Sequence, residues 1–145
     1  MQKSLFFIVL LFTLSWFQDV KTQILGKWKT IDDATQEPKS YVEIYQENNK
    51  FYGKVIAILD PAKKESTCLN CPDTDPRKNQ KIEGMVILRD LELVEEELKN
   101  GHILDPKKGK EYHCKAWLEK NDPNTLKVRG YIGLFYRTQT WVRAE

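Results

Sequence analysis

The feature that most constrains this chain is a two-residue alternation of polar and apolar side chains, broken by turn residues, along nearly all of the sequence after residue 22. Successive side chains of a strand point to opposite faces, so this period selects half-buried strands over helices. Tyr41, Glu43 and Tyr45 alternate with Val42 and Ile44. Asn48-Asn49-Lys50 then makes a polar break, and Asn tolerates the left-handed geometry of a tight turn. Residues 51–59 are rich in β-formers and stop at Asp60-Pro61, where Pro cannot donate to a ladder. Residues 82–88 and 98–104 read as further strands, the second closed by Asp105-Pro106-Lys107-Lys108-Gly109. Over residues 111–119, Tyr112, Cys114, Ala116 and Leu118 share one face, with His113, Lys115 and Trp117 on the other. After a turn at Asn121-Asp122-Pro123-Asn124, Leu126, Val128, Gly130 and Ile132 alternate with Lys127, Arg129 and Tyr131. The last strand sets Arg137, Gln139 and Trp141 opposite Thr138, Thr140 and Val142.

A strand around Trp28 brings the total to about eight. The acidic run 91–99 reads as a solvated hairpin tip rather than a helix. Ile-Leu-Asp-Pro occurs at 58–61 and again at 103–106, which reads as one strand-ending turn used twice. Many short strands with regular turn signals imply an all-β fold, an antiparallel up-and-down barrel. Closing the sheet on itself also removes its exposed edges.

The chain is long enough for one domain: 145 residues, 41% hydrophobic and 30% charged. A net charge of +2 is too balanced for a dedicated nucleic-acid binder. Lys3 followed by the apolar run 5–17 has the charged start and short apolar core of a secretory leader. Val20 and Thr22 are small enough to place cleavage before Gln23, with Thr13 and Ser15 as a second choice. The expected organisation is a cleaved signal peptide over residues 1–22 and a single barrel domain over 23–145, exported to the periplasm or the medium. The run is short for a stable membrane span.

Gly26-Lys27-Trp28 resembles the Gly-x-Trp start of lipocalin and fatty-acid-binding barrels. That resemblance implies a Trp plugging one barrel end with an Arg from the last strand lying across it, so Trp28 pairs with Arg137 or Arg143, beside Gly26 and Trp141. A wider likeness covers Leu25-Gly26-Lys27-Trp28, Tyr52-Gly53-Lys54, Cys68-Leu69-Asn70-Cys71, Ile103-Leu104-Asp105-Pro106 with Gly109 and Tyr112, residues 126–133, and Arg137-Thr138-Gln139-Thr140-Trp141. On these segments the chain resembles the secreted bacterial family called domain of unknown function 2147. The resemblance implies a calycin-like, lipocalin-like barrel and brings no catalytic residue with it. The position before the closing Arg, often Gly in that family, is Tyr136 here.

Residues 62–81 are polar, hold two of the three Cys and show no apolar period, so they form a long functional or covalently tied loop. Cys68 and Cys71 lack the helix start that a redox CxxC needs, and a loop-tying disulfide suits an exported chain. A bond from either Cys to Cys114 stays open, as does a buried free thiol at Cys114. His113 and Cys114 are strand neighbours and point to opposite faces, which counts against a shared metal or a Cys–His dyad. No nucleophile elbow, phosphate loop, zinc-protease motif or paired-carboxylate motif is present, and no cofactor is called for. Enzymatic function is unsupported.

The candidate ligand-binding residues are Arg129, Tyr131, Arg137 and Gln139, with Tyr41, Glu43 and Tyr45 on a second strand. If those faces point inward, an Arg fork and a phenol meet a carboxylate while apolar walls take its tail. The expected function is binding of a small amphipathic acid. The alternative is a barrel with a packed interior that works as an envelope or extracellular interaction module, with Tyr52, Trp117 and Tyr136 on an exposed patch.

Overall fold

The computed structural model describes residues 19–144. The leader run 1–18 lies outside the described residues. The fold is a closed barrel of eight antiparallel strands in chain order. The strands are β1 (Gly26–Ile31), β2 (Pro38–Glu47), β3 (Lys50–Ile58), β4 (Val86–Val94), β5 (Glu97–Asp105), β6 (Lys110–Glu119), β7 (Asp122–Ile132) and β8 (Phe135–Arg143). A short helix α1 (Val20–Ile24) precedes β1, and a 3-10 turn (Pro61–Lys63) follows β3.

The walls of β2, β6 and β7 obey the alternation. Val42 and Ile44, Cys114 and Ala116, and Leu126 and Val128 are buried, and the residues between them are less so. Two strands differ from the sequence reading. β4 begins at Val86 and runs on to Val94, so residues 82–85 belong to the long loop. Its pattern is broken by a pair of left-handed residues, Asp90 (φ 59°) and Asn100 (φ 62°), which lie between the pairs Arg89↔His102 and Glu92↔Lys99 of β4 and β5. The kink at Asp90 puts Leu88 and Leu91, an odd number of residues apart, into the same core, which hides the period in the sequence. Gly101 makes room for this, since a Cβ there would collide with the Leu91 side chain and the Arg89 carbonyl oxygen. β7 likewise starts at Asp122, inside the expected turn.

The two Ile-Leu-Asp-Pro segments do end their strands alike. The Asp60 carboxylate accepts from the Ala62 N–H at 3.0 Å, and the Asp105 carboxylate from the Lys107 N–H at 3.1 Å.

One end of the barrel, the base, holds α1 and the hairpins at 48–49, 95–96 and 120–121. The other, the loop end, holds residues 32–37, 59–85, 106–109 and 133–134. At the base Trp28 is fully buried, and its indole N–H donates to the Ile24 carbonyl at 2.9 Å. The Arg143 guanidinium lies 3.9 Å from the Trp28 ring centre and donates to the carbonyls of Leu25, Gln23 and Pro123. Residues 19–22, expected to leave with the leader, form the cap and first turn of α1, and Val20 packs against the core.

Arg143→Ala removes a cation over an indole and charged bonds to three carbonyls, and is expected to cost about 2–4 kcal/mol. Arg143→Lys should restore only part of this, because an ammonium cannot stack flat and fork at once. Urea unfolding of both variants checks it.

Candidate functional site

The inner wall changes character along the barrel axis. Toward the base it is filled by Trp28, Ile44, Phe51, Leu91, Leu98, Leu126 and Trp141, all of them buried. Toward the loop end it becomes polar. Thr30 and Ser40 share a hydroxyl–hydroxyl bond of 2.7 Å. Gln139 accepts from the Trp141 indole N–H at 3.1 Å. Above them Arg137 faces Gly130 across β7 and β8. A Cβ at Gly130 would meet only Ile103 and Tyr112, at 3.6 and 3.8 Å.

Arg137 and Gln139 share the parity of buried Trp141, so they stand on the inner wall. Arg137 is half-exposed at the mouth, and both its Nε (2.8 Å) and Nη2 donate to one carboxylate oxygen of Asp33, in the loop after β1. The sequence reading did not single out Asp33. The signal was the acidic pair Asp32-Asp33 just after β1, and it becomes informative only once β1 and the Arg-bearing β8 are known to touch.

The other candidates stand elsewhere. An inward Arg129 and Tyr131 beside Arg137 would have made the expected fork, but Leu126 and Val128 take the interior, and the two-residue period turns Arg129 and Tyr131 outward. Arg129 is opposite Thr138, not Arg137, and its Nε donates to the Thr138 hydroxyl at 2.8 Å. Its guanidinium stacks 4.0 Å from the Tyr136 ring centre and 5.0 Å from that of Trp117. Tyr41, Glu43 and Tyr45 face outward in the same way, because Val42 and Ile44 face in; Tyr45 stacks on Tyr52 at 5.7 Å. The structure therefore does not bring the seven candidates together: two line the mouth and five stand on the outer wall. The outer wall carries a row the sequence did not reveal, Arg89, His102, His113, Tyr131 and Tyr136, paired in register across five strands. The His102 and His113 rings lie 4.6 Å apart, and the buried Nδ1 of His102 has no partner among the described residues.

The long loop is tied down at its centre. Cys68 and Cys71 form a disulfide, and both are buried in the apolar cluster that also holds Ile87 and Leu104. Arg77 reaches from the loop to Glu111 at 2.7 Å, and Arg89 donates to both carboxylate oxygens of Glu111. The two guanidiniums draw the Glu111 carboxyl down to about 2, against the pull of burial. Cys114 is a buried free thiol pushed up to about 12 by burial, with the Glu111 charge adding to it. His113 is exposed on the other face, so the two do not share a site.

Residues 26–143 match a family model described as an uncharacterized protein conserved in bacteria, DUF2147. The chain belongs to the DUF2147 family. Among solved structures it is similar to a chain titled "Protein HP1028 from the human pathogen Helicobacter pylori belongs to the lipocalin family". The likeness has a TM-score of 0.69 at 26% identity and covers 83% of this chain and 82% of that one. No curated protein matches it significantly. The barrel of this DUF2147 member is thus a lipocalin-like fold, all-antiparallel with almost no helix.

The Glu111 cluster carries a definite sign. A carboxyl whose folded value lies below its ordinary 4.5 stabilises the fold above pH 4.5 and loses that contribution as pH falls toward 2. Glu111→Gln should cost on the order of 2 kcal/mol at neutral pH and flatten the decline of stability across that window, as read by denaturant midpoints at stepped pH. The Cys114 thiol should resist iodoacetamide at mildly alkaline pH in the folded protein and react fully in denaturant, as counted by intact mass.

Proposed function

We propose that this protein is an exported small-molecule-binding barrel whose ligand enters at the loop end, with an acidic head against Arg137 and an apolar body against the walls beneath. One observation carries the reading: an inward, half-exposed guanidinium stands at the mouth above an apolar floor, already holding a carboxylate. Asp33 gives Arg137 the partner that a ligand carboxylate would replace. Swapping one carboxylate for another keeps the charge paired, so ligand binding need not leave a cation unpaired. Gln139, Thr30, Ser40 and Tyr112 add hydrogen-bonding groups around it, and the floor of Trp141 and Val128 would bury apolar surface at about 25 cal/mol per Å². Membership in a lipocalin-like family supports this use of the barrel.

Export is supported by the leader-like pattern of residues 1–22 and by the Cys68–Cys71 disulfide, which suits an oxidising compartment. The packed base favours the second reading, an interaction module, since a filled barrel works through its outer surface. The two part on one pair of measurements. Native mass spectrometry of protein from its own host should show a co-purifying organic acid. Titration with the anionic probe 1-anilinonaphthalene-8-sulfonate should show binding that Arg137→Gln weakens about tenfold or more. A barrel that arrives empty and binds the probe equally well after the Arg137→Gln substitution belongs to the second reading.

A further inference from the structure

The β7–β8 hairpin breaks the rule that turns are polar. Ile132, Leu134, Phe135 and Tyr136 are 50%, 99%, 77% and 60% exposed, and Tyr131 beside them is 36% exposed. These five residues are consecutive but for Gly133, so they form one apolar tip, not scattered surface side chains. The tip also lacks support on one side. β1 pairs with β8 only from Trp28↔Arg143 to Thr30↔Trp141, which leaves residues 135–140 without a strand neighbour there.

A second feature of the same end is cationic. Lys107, Lys108 and Lys110 are exposed and form no ion pair among the described residues. The nearest carboxylates in the chain are Asp105 and Glu111, and Asp105 accepts from the backbone N–H groups of Lys107 and Lys108. Glu111 is held by Arg77 and Arg89. The lysine loop is one strand away from the tip: β6 and β7 pair at His113↔Tyr131, and that register carried on sets Lys110 level with Leu134. The loop is also rigidly held. The Asn70 amide, inside the disulfide-closed turn, donates to the Lys107 carbonyl at 2.9 Å. Any Cβ at Gly109, which has φ 66°, would collide with the Asn70 carbonyl group.

We propose that the loop end of this barrel docks on an anionic lipid bilayer, with the hairpin tip entering the interface and Lys107, Lys108 and Lys110 facing the headgroups. The order of side chains fits the layers of that surface. Leu134, Phe135 and Ile132 lead; Tyr131 and Tyr136, each with an apolar ring and a polar end, come next; Arg129, which has no acidic partner among the described residues, follows behind Tyr136. Tyr and Arg at this depth are amphipathic anchors, with the stem or ring in the boundary and the polar end at the headgroups. A second copy of the chain is a poorer occupant, because a two-fold pair built through the tip would bring both sets of unpaired lysines to one face. The docking needs no ligand in the barrel and does not rest on the reading above.

The test is co-sedimentation of the full chain, as processed by its host, with vesicles of phosphatidylcholine alone and with phosphatidylglycerol added. The expected result is binding to the anionic vesicles that falls with salt. It should weaken roughly fivefold for each of Lys107, Lys108 and Lys110 changed to Gln. The double variant Leu134→Ser, Phe135→Ser should lose it by about tenfold or more while its thermal midpoint stays unchanged, since both side chains are exposed. Binding that survives this double variant, or equal binding to neutral vesicles, overturns the proposal. So does a tip-dependent dimer by sedimentation equilibrium with no affinity for either vesicle.

Discussion

The structure depends on the stack of Arg143 on Trp28. A barrel must join its first strand to its last, and here β1 and β8 share only three residue pairs. Short pairing gives that seam few backbone hydrogen bonds. The stack strengthens it at the base. Trp28 sits on β1 and Arg143 on β8, directly opposite in register, and the guanidinium also gathers three carbonyls, from Gln23 in α1, from Leu25 just before β1 and from Pro123 at the start of β7. One side chain thus bonds the two ends of the described chain and satisfies polar groups that a barrel floor would otherwise bury unpaired.

With the base sealed and filled, the loop end is the freer half. Its seam carries a surface ion pair, Arg137 with Asp33, in place of a ladder. Exposed pairs of this kind contribute little to stability, about 0–1 kcal/mol, so this contact is easily exchanged. The opposite side of the same end is held differently. Glu111 links the long loop to β4 and β6 through two guanidiniums, and the Cys68–Cys71 turn braces the lysine loop. A fixed rim on one side and an unpaired hairpin on the other give the mouth its asymmetry. The polar part of the inner wall, the apolar tip and the exposed lysines all lie at this end.

The barrel was legible because its signal is local. Val42/Ile44, Cys114/Ala116 and Leu126/Val128 each announce a buried face at a period of two, and Gly26 and Trp28 mark the first strand. Reading failed at β4, where the bulge at Asp90 places Leu88 and Leu91 on one face, and a single inserted residue erases the alternation that the eye follows. It failed again for α1, which lies where a leader was expected to end, because five residues carry too little periodicity to declare a helix.

The sequence by itself determined that alternating strands must bury one face each and close, and that a Trp near the start and an Arg near the end were available to seal the closure. Only the tertiary structure decided which face is inside. Arg129 and Arg137 sit on adjacent strands in equally amphipathic patterns, yet one stacks outward on Trp117 and Tyr136 and the other turns in at the mouth. The choice depends on which parity meets the apolar walls of the neighbouring strands, and that parity depends on register, bulges and hairpin lengths summed around the whole ring. A pattern along one strand carries the period; the phase belongs to the barrel.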